Sequence, residues 1–122
     1  HRFDIVVFRL ADGDTYIKRV IGLPGESIAY VDDQLYVDGK KIDEPYLAEN
    51  QEKIHDQNPY TNNFSLNDLL DVKKLGKDSY FVMGDNRRVS KDSRSFGAVS
   101  ADDIIGKAVF VYYPLPDIKW VH

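Results

Sequence analysis

The sequence predicts a single, mainly β domain of folded antiparallel sheets, with at most short helical turns. Short segments rich in β-branched and aromatic residues follow one another closely, and an Asp-Gly pair separates two of them. Helix signals are weak throughout. The 122 residues, 43% of them hydrophobic, suffice for one compact domain over residues 1–122 with a modest core.

The strands are predicted from local composition. Residues 4–8 form an apolar run typical of a buried strand, and residues 16–21 form a second segment rich in β-branched side chains. Asp32-Asp33 separates residues 26–31 from residues 34–37 and suits a tight connection. Asp38-Gly39 tolerates the positive φ values of a type I′ turn, so residues 35–37 and 40–42 are predicted to form a hairpin. Further strands are predicted at residues 79–83 and 107–113.

Helical structure is expected only as single turns. Ser65 with Asp68, and Ser100 with Asp103, have the spacing of a capping box, in which a hydroxyl is followed by an acidic residue at the third helical position. The stretch between residues 44 and 67 is polar, contains two prolines and lacks a regular period. We therefore expect a variable surface excursion over residues 44–78.

Composition excludes several classes of function. A net charge of −4 and a pI of about 5.3 argue against nucleic-acid binding. The absence of cysteine excludes disulfides, cysteine-rich zinc sites and thiol nucleophiles. Two of the three histidines stand at the ends of the sequence, so no metal site is expected and no organic cofactor is implied.

The beginning of the sequence carries no targeting signal. The longest apolar run is far below the ~20 residues of a membrane-spanning helix, and no signal-peptide pattern opens the chain. The sequence starts without methionine and leads directly into the apolar residues 5–8. We therefore expect that a segment upstream of His1 has been removed.

Residues 16–25 contain a lysine whose neighbours are apolar. On a strand, Lys18 shares one face with Tyr16 and Val20. A lysine held among apolar groups loses hydration of its charged form, so its pKa falls and the neutral amine can act as a general base. The alternative is a lysine that extends its amine out of a half-buried strand into water, which is routine for this residue.

Residues 84–97 form a second segment of interest, directly after the predicted strand at residues 79–83. Gly, Asp, Asn and Ser are dense here, as in a turn, but the segment also combines two carboxylates, four cations and three hydroxyls between glycines. Such a loop can order itself through charge-assisted hydrogen bonds and place a hydroxyl beside an amine. A solvated polar loop is the alternative interpretation.

Taken in order, these segments resemble the type I signal peptidases, membrane-bound serine proteases with a Ser-Lys dyad. Residues 4–8 match the strand after the family's Arg-Gly-Asp, with Phe3 in place of the glycine. Residues 16–25 (YIKRVIGLPG) are similar to the block with the catalytic lysine, and residues 84–97 match a block near the end of the domain. Residues 43–47 (DEPYL) resemble Gram-positive members. The resemblance spans nearly the whole chain, is weakest at residues 51–77, and implies the folded antiparallel sheets of that family.

The resemblance also implies roles for individual residues. Lys18 matches the general base that takes a proton from a serine, and Ser90 matches the hydroxyl that orients the lysine amine. Tyr16 and Ile17 fall where the family lines its substrate groove, to which an extended peptide adds as a strand. The residues that match structural supports of this site are Arg19, Asp85, Asn86, Asp92 and Arg94.

One part of the family pattern is absent. The family's nucleophilic serine lies upstream of the first matching block, in a Ser-x-Met-x-Pro context, but the only methionine here is Met83. None of the serines has that context. The 122 residues by themselves are therefore expected to be inactive.

The resemblance implies partners and a location for the complete protein. Its substrates are expected to be secreted preproteins with small residues before the cleavage site. A missing N-terminal helix would anchor it as a single-pass protein of the cell membrane, with this domain on the extracytoplasmic face. The sequence leaves the oligomeric state open.

Three alternatives remain. A signal-peptidase-like assembly factor, for example in pilus formation, would keep the fold and lose dyad residues, whereas Lys18 and Ser90 are both present. A self-cleaving repressor shares Ser-Lys chemistry, but residues 84–97 are not typical of that class. A β domain with a fortuitous match would require two long motifs to coincide in order.

Overall fold

A computed structural model describes residues 1–47, 59–88, 90–107 and 118–119, and these form two antiparallel sheets with a few short helices. The predicted mainly β class is confirmed. The helices are α1 (Leu66–Leu70) and α2 (Ser93–Phe96), with 3₁₀ turns at Pro45–Leu47 and Ala101–Asp103. The strands are β1 (Ile5–Arg9), β2 (Thr15–Gly22), β3 (Ile28–Val31), β4 (Gln34–Val37), β5 (Lys40–Ile42), β6 (Phe64–Ser65), β7 (Ser79–Met83), β8 (Val99–Ser100), β9 (Ile104–Lys107) and β10 (Ile118–Lys119).

The first sheet is centred on β2. Its strand order is β8-β7-β2-β1-β9, and the two residues of β10 pair with β2 in parallel. β1 pairs with the first part of β2, and β7 pairs with its last part, where a bulge falls between Val20 and Gly22. Seven of the eight β2 residues are buried, and five of the eight are β-branched or aromatic, as expected of a strand covered on both faces; Lys18, Arg19 and Gly22 are the exceptions.

The second sheet has the order β5-β4-β3-β6 and is joined by two tight turns. Asp38 and Gly39 both have positive φ, at 52° and 81°, and connect β4 to β5 in the predicted hairpin. Asp32 and Asp33 have φ values of 52° and 66° between β3 and β4. Both turns therefore use residues that tolerate the left-handed region.

Apolar side chains form two core clusters, one in each half of the domain. The cluster of the second sheet also takes side chains from the ends of β2 and β7, and it consists of Ile21, Ile28, Tyr30, Leu35, Val37, Phe64, Leu66, Leu75, Phe81 and Met83. The cluster of the first sheet packs against α2 and consists of Val6, Phe8, Tyr16, Val20, Val82 and Val99.

The segment of residues 44–78, which was expected to lie on the surface, contributes side chains to the core where the structure describes it. Leu47, Tyr60, Phe64, Leu66 and Leu75 are all buried. These apolar residues are too widely and irregularly spaced to show a helix or strand period, so the sequence did not reveal their contribution to the core. Residues 48–58 lie outside the described part of the chain.

The two predicted caps are present. The Ser65 hydroxyl accepts a hydrogen bond from the Asp68 amide at 3.2 Å and begins α1. The Ser100 hydroxyl accepts one from the Asp102 amide at 3.3 Å, one residue earlier than the spacing predicted. Of the strand predicted at residues 107–113, only Lys107 is described, at the end of β9.

Phe3 stands where the resembling family has glycine, and its backbone shows why glycine suits the position. Its φ is +71°, in the left-handed region that residues with a Cβ avoid. Its ring packs edge-on against Tyr46, with centroids 5.0 Å apart, and this contact offsets part of the strain. In the described ranges, no helix is long and apolar enough to cross a membrane.

Candidate active site

Lys18 lies in the middle of the central strand and is almost completely buried, with 2% of its surface exposed. Tyr16 and Val20, two residues before and after it, are also buried. Loss of hydration lowers the pKa of the Lys18 amine, and Arg94 lowers it further. Asp92 and Asp85 act in the opposite direction without cancelling the effect. The lowered pKa favours the neutral amine that a general base requires.

Ser90 is brought to this amine by the loop of residues 84–97, which follows β7. The Lys18 Nζ donates a hydrogen bond to the Ser90 Oγ at 3.2 Å, across 72 positions of sequence. Ser90 itself is only partly buried. The two residues that the resemblance singled out for chemistry are therefore in direct contact.

Arg19 joins the start of this loop to the lysine strand. Its guanidinium binds the Asp85 carboxylate in a bidentate manner, with distances of 3.0 and 2.8 Å, and donates to the Phe3 carbonyl at 3.0 Å. The guanidinium also lies 4.2 Å from the centroid of the Tyr46 ring. Arg19 directly follows Lys18 in β2, so its ion pair with Asp85 fixes the beginning of the loop to the residue next to the lysine.

Asp92 and Arg94 anchor the other side of the loop. The Asp92 carboxylate is fully buried and accepts hydrogen bonds from the Gly84 amide at 3.0 Å, the Arg94 amide at 3.1 Å, and the Arg94 guanidinium at 2.9 and 2.8 Å. Burial by itself raises the pKa of Asp92, but the hydrogen bonds and charge of Arg94 outweigh it and lower the pKa. Asp92 also caps the N-terminus of α2.

Asn86, the remaining predicted support, is half-buried beside Asp85. Within the described part of the chain, its side chain takes part in no hydrogen bond. The structure therefore gives no physical account of a supporting role for Asn86.

The structure buries both residues that were predicted to line a substrate groove. Tyr16 is fully buried, stacks on Phe8 and contacts Phe96, and Ile17 is 3% exposed. The edge of β2 beside Tyr16 is paired with β10, with Tyr16 opposite Lys119. These side chains are therefore not presented on an open groove, and a peptide at this edge would meet the backbone of β2.

A buried ion pair beneath the loop was not found from the sequence. The Arg87 side chain is fully buried and donates to the Glu44 carboxylate at 2.6 Å. The pair lies 43 residues apart in sequence. Neither residue stands in a pattern that distinguishes a buried charge from a solvated one, so sequence periodicity offers no signal for it.

Comparison with known proteins identifies the family that shares these features. The family model for signal peptidase, peptidase S26, matches residues 1–113. A signal peptidase IB of Staphylococcus aureus (strain MRSA252) is 45% identical over 122 residues, covering 96% of this chain and 63% of the relative. A signal peptidase I of Bacillus caldolyticus is 48% identical over 113 residues, covering 93% of this chain and 62% of the relative. The chain thus spans less than two thirds of the length of these relatives.

A solved structure shares the same fold. The chain superimposes on the crystal structure of a signal peptidase I from Enterococcus faecalis V583 with a TM-score of 0.85 at 39% sequence identity. The match covers 89% of this chain and 96% of the other. The two antiparallel sheets described above are therefore the signal peptidase I fold.

Proposed function

The chain belongs to the signal peptidase family, peptidase S26, and we propose that it forms most of the catalytic domain of a type I signal peptidase. The complete protein would be a serine endopeptidase that removes signal peptides from secreted preproteins. The observation that carries the proposal is the buried Lys18 amine within hydrogen-bond distance of Ser90, at 3.2 Å. A buried lysine with a lowered pKa is costly to keep for stability alone, because its charged form is poorly solvated.

In the proposed mechanism, the neutral Lys18 amine takes the hydroxyl proton of a serine as that oxygen attacks the scissile carbonyl carbon. The resulting ammonium gives its proton to the leaving amine, and the C–N bond breaks to leave an acyl-enzyme. Water then attacks the ester, again with Lys18 as base, and releases the signal peptide. Ser90 accepts a hydrogen bond from Lys18 and fixes the direction in which the amine points.

We propose that the attacking serine comes from a segment that precedes these residues in the complete protein. The sequence has no Ser-x-Met-x-Pro motif, and the chain covers about 63% of its relatives. The 122 residues alone would then lack half of the dyad and be inactive. An N-terminal membrane anchor with this domain on the extracytoplasmic face belongs to the same proposal.

The substrate is proposed to add as an extended strand along the edge of β2 before Lys18. Because the Tyr16 and Ile17 side chains are buried, their contribution would be made by backbone groups. The part of this edge beside Tyr16 is paired with β10. A peptide that bound there would have to displace Ile118 and Lys119.

The proposal is tested by cleavage of a secreted preprotein by the full-length protein. Lys18→Met keeps the size of the side chain and removes the amine, and it is expected to lower kcat by at least ~10³-fold. Lys77→Met changes an exposed lysine and is expected to leave kcat unchanged. If Lys18→Met cleaves as fast as wild type, or if wild type does not cleave at all, the proposed function is wrong.

A second measurement identifies the nucleophile. Trapping the acyl-enzyme with a slowly hydrolysed substrate and mapping the modified serine by mass spectrometry is expected to label a residue upstream of His1. Labelling of Ser90 would overturn its assignment as an orienting hydroxyl.

A further inference from the structure

Two buried charged side chains of the same loop flank Ser90 in sequence, one on each side. Asp92 lies two residues after Ser90 and is bound to the end of β7 and to Arg94. Arg87 lies three residues before Ser90 and is bound to the second sheet. Three residues of chain span at most about 10 Å, so the position of Arg87 limits where Ser90 can lie.

The Arg87 guanidinium donates hydrogen bonds both to its own loop and to residues of other segments. Its Nε donates to the Gly84 carbonyl at 2.8 Å, which closes the turn at the start of the loop. Its terminal nitrogens donate to the Tyr30 hydroxyl at 2.9 Å, the Glu44 carboxylate at 2.6 Å and the Tyr46 hydroxyl at 3.2 Å. Tyr30 belongs to β3, so the guanidinium ties the loop to the second sheet.

Glu44 is the centre of this arrangement. A single carboxylate oxygen accepts hydrogen bonds from Arg87 at 2.6 Å, from the Tyr30 hydroxyl at 2.7 Å and from the Tyr46 hydroxyl at 2.6 Å. The Glu44 side chain is 7% exposed and that of Arg87 is 0% exposed. The cost of removing both charges from water offsets much of their attraction, so this buried ion pair adds little to the stability of the fold. Its role is better explained by the geometry that it imposes on Arg87.

The same short segment also supports the lysine strand. Tyr46 follows Glu44 by two residues, and its ring lies under the Arg19 guanidinium at 4.2 Å from the centroid. Arg19 in turn binds Asp85 at the beginning of the loop. Tyr46 therefore contacts both the strand of Lys18 and the loop of Ser90, and Glu44 binds Tyr46 and the loop.

We propose that Glu44 is a positioning residue that acts through Arg87 to hold Ser90 against Lys18. The inference rests on the proposed function, because Ser90 matters only if Lys18 is the base. Without the carboxylate, the Arg87 charge lacks its buried partner and the guanidinium moves toward water. The first anchor of the loop is then lost, Ser90 shifts away from the amine, and water reaches Lys18.

The test is made on the full-length protein with two matched variants. Glu44→Gln removes the central carboxylate with little change of volume. Glu26→Gln breaks a different Glu–Arg ion pair, in which both carboxylate oxygens of Glu26 bind Arg2, at 2.6 and 2.7 Å, away from the loop of Ser90. The Glu26 pair is the more exposed of the two, so kcat is compared below the Tm of both variants, where a difference reports on the placement of Ser90 and not on the folded fraction.

Glu44→Gln is expected to lower kcat on the order of 10²-fold, the scale of a displacement of about 1 Å at a catalytic group, while KM changes little. The acidic limb of kcat/KM moves to higher pH, because hydration restores part of the pKa that burial lowered. Glu26→Gln is expected to keep both the wild-type kcat and the wild-type limb. Equal changes in the two variants, or an unchanged kcat and limb in folded Glu44→Gln, would overturn the proposal.

A milder variant covers the case in which Glu44→Gln does not fold. Tyr46→Phe removes one hydrogen bond to Glu44 and one from Arg87 but keeps the ring beneath Arg19. It is expected to shift kcat and the acidic limb in the same direction by a smaller amount. A Tyr46→Phe protein with wild-type values for both would also overturn the proposal.

A readout that needs no catalysis separates this inference from the proposed function. Competitive labelling of lysine amines across a pH series, mapped by mass spectrometry, measures how readily each amine loses its proton. In wild type, Lys18 is expected to be labelled at lower pH than exposed lysines, and in Glu44→Gln the difference shrinks. If wild type cleaves no preprotein but Glu44→Gln still changes the pH at which Lys18 is labelled, the proposed function is wrong and the positioning role of Glu44 stands. If Glu44→Gln leaves the labelling of Lys18 unchanged, the positioning role is wrong.

Discussion

Removal of the Asp92 carboxylate is expected to weaken the fold and the activity together. Asp92→Ala deletes the acceptor of four hydrogen bonds, one from the Gly84 amide and three from Arg94. These bonds connect the end of β7, the loop of Ser90 and the start of α2. Both the local structure and the placement of Ser90 therefore depend on this side chain.

The size of the effect follows from the burial of each partner. Loss of the cap of α2 costs about 0.5–2 kcal/mol, and the buried Gly84 amide left without an acceptor costs about 1–3 kcal/mol. The Arg94 side chain is 17% exposed and regains some hydration, so its loss of a partner adds less than the roughly 3–5 kcal/mol of a fully buried pair. A total of about 3–5 kcal/mol corresponds to a fall in Tm of roughly 10–20 °C in a domain of this size.

Thermal unfolding by calorimetry, with preprotein cleavage by the full-length protein, measures both effects. Asp102→Ala is the matched control, because Asp102 is exposed and its removal is expected to change stability by less than about 0.5 kcal/mol. Lys18→Met, which keeps the volume of this buried side chain, is expected to abolish cleavage without lowering Tm. An equal fall in Tm for Asp92→Ala and Lys18→Met would refute this division of roles.

Three further predictions concern the amine, its hydrogen-bond partner and the neighbouring strand. Burial lowers the pKa of the Lys18 amine, so the folded protein holds the neutral amine more readily than the unfolded chain does. The contribution of this neutral amine to the free energy of unfolding is therefore complete above the unfolded pKa of about 10.5 and is lost as pH falls through the folded pKa. Calorimetry should therefore find Lys18→Met more stable than wild type at pH 7, on the order of 1 kcal/mol, and a lower Tm would contradict the shift. Ser90→Ala is expected to lower kcat roughly 10- to 100-fold with little change in Tm, and steady-state kinetics that match wild type would exclude an orienting role. Combined Ile118→Pro and Lys119→Pro substitutions remove both amides of β10, so they should lower KM for a peptide substrate if β10 competes for the edge of β2; an unchanged KM would show that it does not.

Individual strands and turns could be predicted because the residues that specify them are close together in the sequence. Asp38-Gly39 was recognised as a hairpin turn because few residues adopt its two positive φ values, and the structure confirms the turn. Alternation along a strand likewise placed Lys18 on one face with Tyr16 and Val20, and all three are buried. Such features depend on residues within a few positions of one another.

The site depends on contacts that sequence spacing does not encode. Lys18 and Ser90 lie 72 positions apart, and only the resemblance to a family brought them together before the structure did. Glu44 and Arg87 also lie in segments that resemble the family, but no pairing of the two was inferred from it, and a charge in a polar loop has the same local signature whether it is buried or solvated. The burial of Ile17 was missed for a related reason, since it depends on both sheet faces being covered.

The central claim is that Lys18 is the base of the reaction, and its amine can be observed directly. Lysine side chains of the full-length protein labelled with ¹³C and ¹⁵N allow the Lys18 amine to be titrated by NMR and compared with the acidic limb of kcat/KM. The account predicts one common pKa for both, below the ordinary lysine value of 10.5. A Lys18 amine that titrates at 10.5 or above, or an acidic limb at a different pH from the amine, would contradict it.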